Sequence, residues 1–320
     1  MEGIKEKGLE MAQTDHERAA EQRKKRLEKY FRKTPDPGEN SLALTLLCGS
    51  ALSAFIALII FASGGSGLWV IFLAAAAYSG YKGYEKKSDY DRRYKASEPK
   101  PSDEEMDRQL AADLTDIERR AMRQLGLTND ELELVSELWD PIANLERGNP
   151  LIDSTSRRPS LVFGPLVSSH AAVGTDGVWR FSAYEVMVIC PTGYHLAMYR
   201  CGIDFLTGGL RQEETQEYHY SDVVAVSTIT SPGTELSAEP TDLKYDHEIK
   251  FAKTVLREFQ IVVSSGDRSK IVVGIMDEDQ PDRQAPLQES GIGQVISSVR
   301  RMLREKKGGV TRPPGSGMWQ

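Results

Sequence analysis

Residues 41–81 read SLALTLLCGSALSAFIALIIFASGGSGLWVIFLAAAAYSGY, and no Asp, Glu, Lys or Arg falls between Glu39 and Lys82. A helix needs about 20 apolar residues, rising about 1.5 Å each, to cross a bilayer. Forty-one residues are therefore twice that length and too long for one tilted helix. Ser63-Gly64-Gly65-Ser66-Gly67 interrupts the run near its middle, and such a cluster breaks a helix. The stretch predicts a two-helix transmembrane hairpin over residues 41–84, with helices near 41–62 and 68–84 and a tight hairpin turn at Gly64, Gly65 and Gly67.

The flanks set its orientation. Arg23, Lys24, Lys25 and Arg26 precede the hairpin, Lys82, Lys86 and Lys87 follow it, and the turn is uncharged. Excess Lys and Arg marks the cytoplasmic side, so these membrane-flanking residues predict two spans with both termini cytoplasmic. Tyr78, Tyr81 and Tyr84 suit an interfacial aromatic belt. The second helix has 14 residues, Leu68 to Tyr81, before its first lysine, and a re-entrant hairpin is the competing reading. Gly49, Ser53 and Ala57, with Ala76 and Gly80, allow close helix packing. They are expected to pack the hairpin on itself, with homo-oligomerisation as the alternative. The segment holds no ionisable side chain of the kind that relays protons or ions, which disfavours a transporter working alone.

The whole chain of 320 residues is 40% hydrophobic and 27% charged, with net charge −7. No cleavable signal peptide is expected, because the first 40 residues are too charged. Three cysteines and five scattered histidines give neither a disulfide framework nor a zinc spacing. Residues 14–33 are rich in helix formers and close at Thr34-Pro35, a charged N-terminal helical arm within 1–40. Glu17, Glu21 and Glu28 interleave its basic residues, which argues against nucleic acid as a partner. The arm's charges read as flanking charges rather than as a helix lying on lipid.

Residues 85–150 read as an acidic helical linker. Met106, Leu110, Leu114, Ile117, Met122 and Leu125 keep to one stripe. Ser102 with Glu105 and Thr128 with Glu131 offer capping boxes, so 102–140 predicts a pair of helices. Residues 103–150 hold 13 acidic and 5 basic residues, a net −8, expected on a solvated face.

From about Ser160 apolar and aromatic runs alternate with turn signals such as Gly174-Thr175-Asp176-Gly177 and Pro191-Thr192-Gly193. About six strands and a final helix, Gln294 to Arg304, predict an α+β arrangement with a curved antiparallel sheet against a helix. Pro232 to His247 reads as a loop, and residues 308–320 as a disordered tail. The run MVICPTGYHLAMYRCG, then Tyr218 to Val226, then Ile261 to Val263, then the helix Gln294 to Lys306, resembles a bacterial pleckstrin-homology-like (PH-like) domain over residues 178–307. The resemblance implies a binding or assembly module over 151–307, and a bacterial inner membrane for the anchor.

Catalytic, cofactor and metal motifs are missing from the sequence. Gly291-Ile292-Gly293 has no βαβ unit around it. His195, His219 and His247 with Asp222 and Glu248 are read as strand and turn residues, and Cys190 and Cys201 as buried thiols. The expectation is a membrane-anchored multidomain protein, a scaffold or adaptor with the lipid bilayer and a protein as partners. A lipid sensor is the second reading and an enzyme the third.

Overall fold

The computed structural model describes residues 17–63, 67–133, 158–241, 249–251, 253–280, 284–290 and 292–307, with Ile142 and Leu145. The chain forms two compact units. One holds residues 32–100; the other joins Met1–Phe31 to Pro101–Gln320.

The first unit is a helical hairpin. Helix α2 (Pro37–Ala62) starts where Asp36 accepts the Gly38 N–H at 2.9 Å and Pro37 opens the first turn. Helix α3 (Leu68–Ser97) begins after Gly67. The two run in opposite directions. The Lys87 ammonium donates to Asn40 at 2.9 Å near one end, and the Phe61 and Trp69 rings meet at 5.4 Å near the other. Between these points Ser50 Oγ donates to the Ala76 carbonyl at 2.7 Å. A Cβ on Gly83 would lie 3.1 Å from the Leu47 backbone nitrogen. Of the small residues expected at the contact, Ala57 and Ala76 are buried and Gly80 faces Ser50, whereas Gly49 meets nothing within 4 Å; Ser50 and Gly83 are contacts the sequence did not single out.

Helix α3 overruns its expected end at 84. Its polar half is held by ion pairs at helical spacing, Lys82–Glu85, Lys87–Asp91 and Arg93–Asp89. Among the described residues α2 alone is long and apolar enough to cross a membrane by length and composition.

The second unit is mixed. Residues 17–27 form helix α1, continued by a 3-10 turn at Glu28–Phe31. Helix α4 (Asp103–Leu125) is capped by Ser102, whose side chain accepts the Glu105 N–H, and stops at Gly126 in the left-handed conformation (φ 64°). Its buried stripe is Met106, Leu110, Leu114, Ile117, Ala121 and Leu125. The expected second helix of this segment begins as a single 3-10 turn, Asn129–Glu131, with its capping box formed. Leu132 then bridges to Thr192, and most of the remainder to residue 140 lies outside the described residues.

Eleven strands follow among the described residues, where about six were expected. Strands β1 (Ser160–Pro165), β4 (Ala183–Pro191), β5 (His195–Asp204) and β6 (Gly209–His219) make an antiparallel sheet in that order. Strands β7 (Val223–Pro232), β10 (Thr254–Val263) and β11 (Arg268–Asp277) make a second antiparallel sheet with β10 central. The insertions β2 (Ala171–Val173), β3 (Trp179–Phe181), β8 (Leu236–Pro240) and β9 (Ile249–Phe251) form a third, in which β2 and β8 are parallel. Strand β8 occupies part of the expected Pro232–His247 loop. Helix α5 (Ile292–Lys307) ends the described chain.

The first sheet is covered on both faces. Val186, Val188 and Cys190 of β4 join α1, α4 and the third sheet in one core, while Met187 and Ile189 join the second sheet and α5 in another. This explains the almost unbroken apolar run of β4, since a strand buried on both faces loses its polar alternation.

Candidate functional site

The second unit contains the two points where the chain leaves for the hairpin and comes back, residues 31 and 101. Both are pinned by one buried cation. Arg180, on β3, is 1% exposed. Its guanidinium donates to both carboxylate oxygens of Asp107 (2.9 and 2.8 Å), to Asp176 (3.0 and 2.8 Å) and to the Tyr30 hydroxyl (3.3 Å). Tyr30 donates in turn to Asp103 at 2.6 Å, and Asp103 accepts the Thr175 N–H at 2.8 Å. Gln288 donates to Asp107 at 2.5 Å and accepts from Tyr184 at 2.8 Å. The residue that ends the arm and the residue that begins α4 are thus fastened to the same β-turn. Burial works to raise the Asp176 carboxyl, but Arg180 and the Val178 N–H overcome it and hold Asp176 below its ordinary value.

A second buried pair fixes α1. Arg23 donates to both carboxylate oxygens of Asp113 on α4, and to the Phe205 carbonyl in the β5–β6 turn. Burial pushes the Asp113 carboxyl up, and the Arg23 guanidinium pulls it back. Leu27 and Tyr30 are buried beside it. Arg23 is therefore an internal ligand rather than a free flanking charge. Arg26 pairs with Glu105, Lys25 with Glu21, Lys82 with Glu85 and Lys87 with Asp91. Lys24 and Lys86 are exposed. Gly67 caps α3; Gly64 and Gly65 lie outside the described residues. The acidic surplus of residues 103–150 is likewise partly internal: Asp103, Asp107 and Asp113 face the chain's own arginines.

The hairpin presents the opposite chemistry. Leu42, Leu44, Leu52, Phe55, Leu58, Ile59 and Phe61 of α2 are exposed, as are Leu68, Val70, Ile71 and Leu73 of α3. Burying one such side chain is worth about 1.5–3 kcal/mol. The seven α2 side chains are 45–63% exposed, so on the order of 5–12 kcal/mol of apolar burial is left ungained in water. A contiguous exposed apolar surface of this kind marks a membrane or protein contact. Tyr78, Tyr81 and Tyr84 are exposed where its polar half begins.

No family model matches this chain, and no curated protein or solved structure matches it.

Part of the scattered set of candidates for chemistry comes together at one end of the first sheet. His195 and His219 are register partners on β5 and β6, and the His195 ring lies 3.7 Å from Glu217. Asp222 donates its N–H to the His219 carbonyl in a turn. His247 and Glu248 are outside the described residues. Burial pushes the Cys190 thiol up to about 12 and the Cys201 thiol up to about 11, so neither is a nucleophile near neutral pH. Among the described residues no group of His, Cys, Asp and Glu could hold a metal. Sequence reasoning missed Arg180, a lone arginine in the run WRF, because its partners lie up to 150 positions away.

Proposed function

We propose that the protein is a membrane-anchored scaffold or adaptor, in which the α2–α3 hairpin crosses the bilayer twice and the mixed unit is presented on the cytoplasmic side. One observation carries this reading: an exposed apolar hairpin leaves and re-enters a single compact unit at residues 31 and 101. A folded unit lies on one side of a membrane. If α2 alone crossed, the arm with Tyr30 and the helix with Asp103 would be on opposite sides, yet the two share a hydrogen bond. Return of the chain through α3 is therefore favoured, although its apolar half is short. Lysine at its end can snorkel to the interface, and the flanking basic residues favour the cytoplasmic side.

A PH-like reading of residues 178–307 draws support from β4, β5 and β6 of the first sheet, the three-stranded antiparallel sheet and the terminal helix. Strand β1 lies before that range, and the third sheet with its parallel β2–β8 pair departs from the pattern. On this reading the module binds a partner. The test is purification of tagged protein from native membranes in mild detergent, with mass spectrometry and sizing. A stoichiometric protein partner is expected. Recovery of the protein alone would overturn the adaptor reading.

A further inference from the structure

Sheets carry unpaired backbone groups along their edges, and proteins cover or charge those edges. Most edges here are covered. A Cβ on Gly164 of β1 would lie 1.6 Å from the Val272 carbonyl of β11, so these two edges abut. Gln284 bridges to Met276 on β11, and Leu287 bridges to Trp179 on β3. On β7 the Val226 carbonyl accepts from Arg300 and the Val223 carbonyl from Lys307, both on α5.

Strand β6 is different. It ends the four-stranded sheet, it is 11 residues long, and most of its residues are exposed. Two cavities flank its first half. One of about 640 Å³ is lined by Leu210 and Glu213 and also by Arg119, Arg120 and Arg123 of α4. The other, of about 600 Å³, is lined by Arg211 and Gln212. Gln212 holds a positive φ (52°) at a register shift opposite Arg200–Gly202, a bulge that re-aims the edge there.

The edge is also charged. Strand β6 carries Glu213, Glu214 and Glu217 against one arginine, Arg211. Glu213 is taken by Arg120 and Tyr199; Glu214 accepts from Gln216 at 2.5 Å and Glu217 lies 3.7 Å from the His195 ring, and both remain exposed.

We propose that the β6 edge is a docking site for an extended basic segment of a partner protein, bound by strand addition. Backbone hydrogen bonds supply affinity, and Glu214 with Glu217 select lysine or arginine. Pairing of β6 with β6 of a second copy would oppose like charges, which is destabilising. The inference rests on the adaptor reading and names its contact.

The test uses the full chain in detergent micelles and a fluorescent eight-residue valine peptide with lysines three positions apart, matching Glu214 and Glu217 on the two faces of β6. Saturable binding is expected, weakened about ten-fold or more by N-methylation of alternate peptide nitrogens, since two or three backbone hydrogen bonds are lost. The double variant E214K/E217K, checked for an unchanged sizing profile, should weaken it similarly. Hydrogen exchange should slow at β6 and not at β7. Equal binding of the N-methylated peptide would reduce the effect to charge alone and overturn the proposal. Absence of saturable binding, or a β6-protected dimer without peptide, would also overturn it. If the peptide fails while native purification still yields a partner, the adaptor stands and this edge is the wrong surface.

Discussion

Arg180 is the residue on which the second unit's assembly turns. Breaking a buried ion pair by removing one member costs about 3–5 kcal/mol, because the remaining charge is stranded. Here three aspartates would be left facing one another. R180M should therefore destabilise the unit by about that much, and Y30F by about 1–2 kcal/mol through one lost hydrogen bond. Both are measurable by thermal exposure of the buried thiols Cys190 and Cys201 to a fluorescent maleimide in a C48A background. The contribution of Asp176 has a definite pH sense. A carboxylate held below its ordinary 3.8 stabilises the fold above that value and ceases to do so as pH falls through its lowered value. The gap between wild type and D176N should be present at neutral pH and close below pH 3.8. Gln212 runs the other way. A non-glycine residue in the left-handed region is strained by about 1–2 kcal/mol, so Q212G should stabilise by up to about 1 kcal/mol after glycine's entropic cost. A destabilised Q212G would show that the Gln212 side chain holds the bulge.

At the scale of elements, the hairpin depends on close approach. A leucine at Gly83 would meet Leu47, including its backbone nitrogen, so G83L should splay α2 from α3. The yield of the S50C/A76C crosslink in membranes should fall several-fold; an unchanged yield would place the helix contact elsewhere. Much of the element pattern was legible in the sequence. The α4 stripe, the Ser102 cap, the Thr128 capping box, the strands β1, β5 and β11 and the terminal helix follow from periodicity and turn residues. Strand β6 was hidden because its first two thirds, GLRQEETQ, show no apolar alternation: its faces at the edge are wet. Strands β2 and β8, of three and five residues, are too short for a period to register. The end of α3 was misplaced because hydropathy marks only its apolar half, whereas i,i+4 ion pairs carry the helix onward.

For the whole molecule, what sequence order separates, packing joins. Arm and linker read as two independent charged segments on either side of the hairpin. Arg23–Asp113 joins arm to linker, and Arg23 to the Phe205 carbonyl and Asp107–Arg180 bind the two segments to the β strands. Charge runs in sequence report composition, while the partner of each charge depends on contacts 73 or 90 positions away. The hairpin is thereby an insertion into one folded unit, and this insertion is the basis for placing both of its ends on one side of a membrane. The most direct test is accessibility of single cysteines to a membrane-impermeant maleimide in intact cells, at Gly65, Glu17 and Ser102 in a C48A background. The account predicts labelling at position 65 from outside, and labelling at 17 and 102 only after permeabilisation. Labelling of 17 and 102 from opposite sides, or of all three positions only after permeabilisation, would contradict a hairpin that crosses twice from a single cytoplasmic unit.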